Sequence, residues 1–189
     1  MIVLYKNREY MDYAVLDYCK SDDIKRVRGK LNLTQREFAK LVNVSTPTIE
    51  RWESSSEKIT GPIVLLLNML ELNKDTLEYL KIPRKEYPLR MFYMYEDKIC
   101  TLIDVDLKNQ KIKIKNYVDN IMFRAFGVNE SPSFNDYKEF LKSRCFPETR
   151  DKLKLILRDL DLPFYDPFLI IEKTQGKMAE DNFWIKLEK

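Results

Sequence analysis

The sequence contains no histidine and only three cysteines among its 189 residues. Histidine is the commonest general base and the commonest metal ligand, so its absence excludes Ser-His, Cys-His and HExxH sites. Cys19, Cys100 and Cys145 are far apart and form no CxxC pair, which argues against a disulfide framework and a zinc knuckle. We therefore expect a protein that is not an enzyme and that needs no cofactor and no metal ion.

Long apolar runs are also missing, since the longest covers residues 63–67 and a membrane helix needs roughly 20. The start of the chain, MIVLYKNREY, lacks the basic-then-apolar order of a signal peptide. We expect a cytoplasmic protein. The 33 basic and 30 acidic residues leave a net charge of only +3, so any affinity for nucleic acid must come from a local patch.

Alternating aromatic and aliphatic residues open the chain, and they predict a β-hairpin over residues 2–18. Residues 21–23, Ser-Asp-Asp, are typical of a helix start. Ile24, Val27 and Leu31 follow at helical spacing, with basic residues between them. The pattern predicts a first helix with one basic face.

Residues 33–53, LTQREFAKLVNVSTPTIERWE, contain two short amphipathic segments joined by a tight turn. Thr34 and Glu37 have capping-box spacing, which predicts a second helix from Thr34. Asn43 tolerates the left-handed backbone of a tight turn, and Ser45 is a natural N-cap for a third helix. The segment predicts a helix-turn-helix. Its apolar members are expected in the core: Phe38, Leu41, Val44, Ile49 and Trp52.

A strongly apolar fourth helix is predicted over residues 63–72, after the Thr-Gly-Pro start at 60–62. Its near-continuous hydrophobicity is typical of the central helix of a small bundle. A fifth helix is predicted over residues 74–80. Residues 83–88 are polar and bracketed by prolines, and the sequence pattern changes after them, which indicates a domain boundary.

Two-residue alternation then predicts strands at 91–107 and 111–118. Helices are expected at 134–141 and 148–160, and a short closing strand or turn at 182–188. The sequence therefore predicts an α+β fold, with an N-terminal hairpin, a five-helix domain and a small α+β domain. The expected boundaries are 1–20 for the hairpin, 21–83 for the helical domain, 84–89 for a linker and 90–189 for the α+β domain.

Residues 24–72 closely resemble the Xre-type (lambda-repressor-like) helix-turn-helix domain. The resemblance rests on LTQREFA at 33–39, VS at 44–45, IERWE at 49–53 and GP at 61–62. It implies that the second helix packs across the DNA backbone and holds the N-terminal end of the third in the major groove. Two alternatives to DNA binding stay open. Scattered lysines on a helical hairpin usually form a solvent-exposed surface with no binding role. Some helix-turn-helix domains bind only protein.

The resemblance also implies which side chains bind DNA. Thr46, Pro47 and Arg51 occupy base-edge positions, from which Arg51 can make a bidentate pair with guanine. The phosphate contacts would be Gln35, Ser45, Thr48 and Lys58.

The local charge agrees with this assignment, since residues 24–58 contain eight basic and four acidic residues and carry a net charge of +4. The loop at 54–56 lacks the glycine and the basic residues that many relatives place there. We therefore expect modest affinity from one subunit. A homodimer on a palindromic operator in double-stranded DNA would raise the affinity, because two linked subunits bind two half-sites.

Residues 90–189 resemble a small module encoded next to or within HipA-type kinase toxin systems. The resemblance implies that this module inhibits the toxin. The resemblance rests on MFYMYEDKICTLIDVD and on the R-x-x-P-x-x-R and D-x-x-W-I patterns. It implies partner-binding roles for Arg144, Arg150, Asp181 and Trp184. An internal role stays open for the same residues, because the arginines can cap a helix and pair with Asp181 while Trp184 closes the core.

Together the resemblances imply a DNA-binding transcriptional repressor, the antitoxin of a toxin-antitoxin system, which autoregulates its operon and neutralises a HipA-like kinase toxin. The alternative is a stand-alone or phage-type regulator whose second domain senses a ligand or dimerises. A DNA-tethered nuclease is a third possibility, because Asp104 and Asp106 alternate on one predicted strand and Lys111, Lys113 and Lys115 on the next. Charges at two-residue spacing on an exposed strand face explain the same pattern.

Overall fold

A computed structural model of the protein describes residues 15–188, apart from the side chains of Lys74 and Thr76. The chain divides between Lys81 and Ile82 into two units. The α+β fold class predicted from the sequence is confirmed. No helix among residues 15–188 is long and apolar enough to cross a membrane.

Residues 15–81 of the first unit are mainly helical and contain one short antiparallel strand pair. Tyr18 lies opposite Thr60, and Cys19 lies opposite Ile59. The hairpin predicted over residues 2–18 lies outside the described residues, apart from its last positions. The elements of the unit are β1 (Tyr18–Cys19), α1 (Ser21–Lys30), α2 (Gln35–Leu41), α3 (Thr46–Ser54), β2 (Ile59–Thr60), α4 (Pro62–Leu72) and α5 (Lys74–Leu80).

Side-chain caps start α2 and α3 where the sequence predicts them. The Glu37 amide donates to Thr34 Oγ1 at 3.2 Å, and the Thr34 amide donates to the Glu37 carboxylate at 2.8 Å, which completes the capping box. The Thr48 amide donates to Ser45 Oγ at 3.3 Å at the start of α3. Asn43 has a φ of +57°, the left-handed conformation that the tight turn requires. The predicted helix-turn-helix is therefore present.

The core of the first unit contains Ile24, Phe38 and Ile49, which are completely buried. Val44 and Trp52 are partly buried and pack against this core. The prediction was wrong for Leu41, which is 38% exposed. Leu41 is the last residue of α2 and lines a surface groove together with Leu77 and Leu80 of α5.

The fourth helix is not the central helix that its hydrophobicity predicted. One side of α4 packs against α1, β2 and α5. The buried residues of that side are Ile63, Val64, Leu67 and Leu70. Leu65, Met69 and Leu72 are exposed on the other side. Among residues 15–188, α4 therefore lies at the edge of the helices and not at their centre.

The second unit is built on a four-stranded antiparallel sheet with the strand order β5-β4-β3-β6. Its elements are β3 (Leu89–Tyr95), β4 (Lys98–Asp106), β5 (Lys111–Asn116), α6 (Phe134–Ser143), α7 (Leu153–Asp159), α8 (Pro167–Thr174) and β6 (Phe183–Glu188), with a 3-10 turn at Ile121–Phe123. Residues from the sheet and from α6 and α8 form one core, in which Met91, Ile103 and Ile171 are completely buried.

The closing element predicted at 182–188 is present as the edge strand β6, which pairs with β3. Two other expectations for the second unit were wrong in extent. Residues 91–107, predicted as one strand, form two antiparallel strands, β3 and β4. The helix predicted over residues 148–160 is shorter and covers only Leu153–Asp159. Lys152 precedes it with a φ of +59°, a left-handed conformation through which a right-handed helix cannot extend.

Candidate nucleic-acid interface

Helix α3 buries one side and exposes the other. Ile49 and Glu53 are buried, and Trp52 is half-buried on the same side. Pro47 and Arg51 are exposed and lie four residues apart on the opposite side. A helix held in this way can enter a major groove with Pro47 and Arg51 foremost.

The side chains at the start of α3 are partly engaged in capping. Ser45 Oγ and Thr48 Oγ1 lie 2.8 Å apart, and Thr46 is half-buried beside them. A hydroxyl both donates and accepts, so Ser45 keeps the capacity to bond a phosphate oxygen. Glu50 shares the exposed side of α3 and was not among the predicted contacts. Its carboxylate can accept a hydrogen bond from cytosine N4 in a major groove.

A buried ion pair attaches α3 to α1 and α2. The Glu53 carboxylate accepts from Arg28 Nε at 2.6 Å and Nη2 at 3.1 Å, and from Gln35 Nε2 at 2.8 Å. Arg28 Nη1 also donates to the Leu33 carbonyl at 3.0 Å. Burial raises the pKa of Glu53, but the hydrogen bonds from Arg28 and Gln35 outweigh it, so the pKa is lowered overall.

Sequence reasoning missed this ion pair, although one signal for it was present. Glu53 follows Ile49 by four residues and therefore lies on the buried side of α3. A charge in that position requires a partner, because an unpaired buried carboxylate is costly. The sequence pattern does not show which basic residue supplies the partner.

The other two predicted phosphate contacts, Gln35 and Lys58, also have partners inside the first unit. Gln35 donates to Glu53, and Lys58 Nζ lies 3.9 Å from the centroid of the Tyr18 ring. Each nitrogen carries further hydrogens that can be donated to a phosphate. The internal contacts restrict the directions in which the two side chains extend.

Two exposed basic side chains on α2 were not predicted as contacts. Arg36 and Lys40 lie four residues apart and therefore share one side of the helix, next to Gln35. They add positive charge at the segment that the resemblance places on the phosphate backbone. Their four-residue spacing was the signal that could have identified them.

Residues 24–68 match the helix-turn-helix family model. The match covers less than half of the chain and includes the candidate contacts from Gln35 to Lys58. The first unit therefore contains an Xre-type helix-turn-helix domain, the class found in DNA-binding transcription regulators.

The chain is also similar to the antitoxin HigA-2 of Vibrio cholerae serotype O1, with 30% identity over 59 residues. This alignment covers 31% of the chain and 57% of the antitoxin, so the chain spans less than two thirds of that relative's length. No solved structure gives a significant match.

Outside the helix-turn-helix domain, Arg144 is a buried residue with internal partners. Its guanidinium donates to the Asp181 carboxylate at 2.6 and 3.0 Å. It also donates to the carbonyl oxygens of Gly176, at 2.9 and 3.1 Å, and Phe183, at 2.9 Å. The hydrogen bonds from Arg144 lower the pKa of Asp181. The internal pairing of Arg144 with Asp181, which the sequence left open as an alternative to partner binding, is therefore present.

The other two matched residues of the second unit have different surroundings. Arg150 is exposed, and its guanidinium lies 6.0 Å from the centroid of the Phe146 ring. Trp184 Nε1 donates to the Glu96 carbonyl at 2.7 Å. The Trp184 ring packs against a second apolar cluster that includes Met94 and is separate from the main core.

Asp104, which motivated the nuclease alternative, is buried, so the exposed strand face expected for it was wrong. Its carboxylate accepts from Arg90 Nε and Nη2 at 2.6 and 2.7 Å and from the Glu86 amide at 3.0 Å. Within the part of the chain that the structure describes, no three Cys, Asp or Glu side chains are grouped as a metal site would require. Asp104 therefore acts as one half of a buried ion pair.

Proposed function

We propose that the protein is a sequence-specific transcriptional repressor that reads double-stranded DNA with α3. Thr46, Pro47 and Arg51 contact base edges, and Arg51 makes a bidentate pair with a guanine. The proposed phosphate contacts are Gln35, Ser45, Thr48 and Lys58. The observation that carries the proposal is the exposed side of α3. The buried carboxylate of Glu53 holds the opposite side of α3 against α1 and α2.

A homodimer on a palindromic operator is part of this proposal. The net charge of +4 on residues 24–58 is modest, and the loop at 54–56 offers no basic side chain. One domain alone therefore makes few phosphate contacts and binds weakly. Two linked domains on two half-sites bind more tightly, because the second contact is intramolecular.

We further propose that the second unit binds a toxin and that the protein represses its own operon in the cytoplasm. The similar protein of Vibrio cholerae is named an antitoxin. The second half also resembles the module of HipA-type kinase systems, and the ion pair between Arg144 and Asp181 joins two of the three segments that carry this resemblance. The proposed partner is a HipA-like kinase, which the exposed Arg150 contacts.

A second candidate is a regulator whose second unit senses a small ligand. Tyr137 is buried, and its hydroxyl has no hydrogen-bond partner among residues 15–188. The residue lines a groove of about 480 Å³ together with Phe134, Asp166 and Phe168. A ligand atom that reached this hydroxyl would relieve the cost of an unpartnered buried group.

Selection from random duplex DNA tests the DNA-reading proposal. The full-length protein should enrich a palindromic sequence that also occurs upstream of its own gene, and gel-shift titration should confirm the site. If no sequence is enriched, the proposal is overturned.

Affinity purification from the native host tests the partner proposal. The wild-type protein should capture a kinase-like protein, Arg150→Ala should capture less of it, and the exposed Lys154→Ala should serve as a matched control. Recovery of no partner, combined with thermal stabilisation of the second unit by a small molecule, would favour the ligand-sensing candidate.

A further inference from the structure

The groove between α6 and the start of α8 has the composition of a small-molecule site. Its volume is about 480 Å³, and its walls are mainly apolar. Binding sites for small molecules commonly have this size, with a few polar groups among apolar walls. The aromatic rings in the walls favour a ligand with a flat apolar body. The apolar residues that line the groove include Leu107, Phe134, Leu141, Phe168 and Leu169.

Two polar side chains of the groove are shielded from water, Tyr137 fully and Asp166 in part. The Tyr137 side chain is 1% exposed, and its hydroxyl has no hydrogen-bond partner in the described part of the chain, residues 15–188. Asp166 is the N-cap of α8, where its carboxylate accepts from the Leu169 amide at 2.9 Å. A carboxylate accepts several hydrogen bonds, so Asp166 keeps the capacity to accept from a ligand.

The hydroxyl of Tyr137 and the carboxylate of Asp166 are near each other. Burial raises the pKa of Tyr137, and the charge of Asp166 raises this pKa further. Such an electrostatic effect requires a short separation, because it weakens with distance. One polar group of a ligand can therefore contact both side chains.

We propose that this groove binds a small neutral aromatic ligand that carries a hydroxyl group. The ligand hydroxyl accepts a hydrogen bond from Tyr137 and donates one to Asp166. The Tyr137 proton thereby gains an acceptor, which removes the cost of a buried unpartnered group. The inference names the ligand chemistry of the ligand-sensing candidate, and it rests on that candidate only for the role of the site.

Charged ligand groups fit these two side chains less well. A carboxylate only accepts hydrogen bonds, and its charge is repelled by Asp166. An ammonium group only donates, so it would leave the Tyr137 proton without an acceptor. A hydroxyl both donates and accepts, and it carries no charge.

The two lysines that line the groove do not require an anionic ligand. Lys142 Nζ donates to the Glu139 carboxylate at 2.8 Å. Lys138 Nζ lies 5.2 Å from the centroid of the Phe134 ring. Both lysines are exposed, so their charges remain in water while the apolar body of the ligand enters the groove.

Isothermal titration calorimetry of the full-length protein with three naphthalene derivatives tests the ligand class. The protein should bind 2-naphthol, which is neutral at neutral pH, and should bind 2-naphthoate and 2-naphthylmethylamine more weakly. The absence of 2-naphthol binding up to its solubility limit overturns the proposal. Equal affinity for 2-naphthol and for either charged compound also overturns it.

Tyr137→Phe tests the role of the unpartnered hydroxyl. This variant should bind 2-naphthol roughly 3- to 10-fold more weakly, and it should melt at the wild-type temperature or above, because the lost hydroxyl had no partner. Tyr165→Phe is the matched control, since it removes a hydroxyl that donates to the Phe146 carbonyl at 2.8 Å outside the groove. It should melt at a lower temperature and bind 2-naphthol like the wild type. Equal affinities of the two variants would contradict the proposed contact.

Asp166→Asn tests the role of the carboxylate. Asparagine is also a good N-cap, so α8 should keep its start. Without the repelling charge, this variant should bind 2-naphthoate more tightly than the wild type does. An unchanged affinity for 2-naphthoate would overturn the assignment of Asp166.

Gel-shift titration of the selected DNA site with and without 2-naphthol separates the binding site from its role. A changed DNA affinity supports ligand sensing, whereas 2-naphthol binding without such a change overturns sensing and retains the site. A protein that binds 2-naphthol but enriches no DNA sequence overturns the repressor proposal alone. A protein that binds its operator but not 2-naphthol overturns the ligand site alone.

Discussion

Arg28 Nε lies 2.6 Å from Glu53 Oε1, and this contact joins α1 to the last turns of α3 across 25 positions of sequence. Glu53 is buried, whereas Arg28 is partly exposed. The orientation of the exposed side of α3 therefore depends on a charge pair on its opposite side.

Removal of the Glu53 carboxylate should destabilise the helix-turn-helix domain. Glu53→Ala leaves Arg28 without its counter-charge and Gln35 without its acceptor. Because Arg28 is partly exposed and water can reach it, we expect a cost of about 1–3 kcal/mol. Urea unfolding followed by tryptophan fluorescence measures the change. Glu50→Ala, an exposed neighbour on the same helix, should change the free energy of unfolding by less than about 0.5 kcal/mol. Equal effects of the two substitutions would show that the ion pair contributes no stability.

Acid should destabilise both units, because the pKa values of Glu53 and Asp181 are lowered in the folded chain. The unfolded chain, with carboxyl pKa values near 4, takes up protons first as the pH falls. The contribution of both groups is therefore fully present above about pH 5 and is lost as the pH falls through 4 towards the lowered pKa values. Unfolding free energies measured between neutral and acidic pH should show this decline.

Asp181→Asn serves as the control for the acid effect in the second unit. Asparagine cannot titrate, so this variant should lose part of the pH dependence while starting from a lower stability at neutral pH. An unchanged pH dependence would indicate that other carboxyl groups are responsible.

Arg51→Ala should weaken binding to the selected DNA site by about 1–3 kcal/mol and relax the preference at one base pair. Arg51→Lys should not restore the preference, because lysine lacks the planar fork that pairs with guanine. Gel-shift titration on the selected site and on single-base variants measures both effects. Unchanged affinity and base preference would remove Arg51 from the interface.

Arg144 and Arg150 should respond differently to substitution. Arg144→Met leaves the partly exposed Asp181 without its counter-charge and the carbonyl oxygens of Gly176 and Phe183 without their donor, and should destabilise the second unit by about 1–3 kcal/mol. Arg150→Ala removes an exposed side chain and should change stability by less than about 0.5 kcal/mol while reducing partner capture. Thermal unfolding and co-purification separate the two results. Loss of stability in Arg150→Ala would assign that residue an internal role as well.

The three thiols should react slowly in the folded protein. Burial raises the pKa of Cys145 to about 12 and also raises the pKa values of Cys19 and Cys100. The thiols therefore stay protonated at neutral pH, and the reactive thiolate is scarce. Ellman's reagent should label the three cysteines rapidly only after denaturation. Rapid labelling of the native chain would show that one thiol is accessible.

Local sequence patterns were sufficient to predict the helix-turn-helix. Its capping box at Thr34 and Glu37, its left-handed turn at Asn43 and its N-cap at Ser45 involve residues at most three positions apart. Such interactions form between neighbours in the chain, so their residue types and spacing are visible in the sequence. The buried positions Phe38 and Ile49 follow from helical periodicity in the same way.

Only the tertiary structure decided which polar groups pair and which apolar groups stay exposed. The partners Arg28 and Glu53, like Arg144 and Asp181, belong to different elements far apart in the chain. Periodicity places a residue on a side of its own helix or strand, but the burial of that side depends on the elements that pack against it. Leu65 therefore has the sequence character of a core residue and lies exposed.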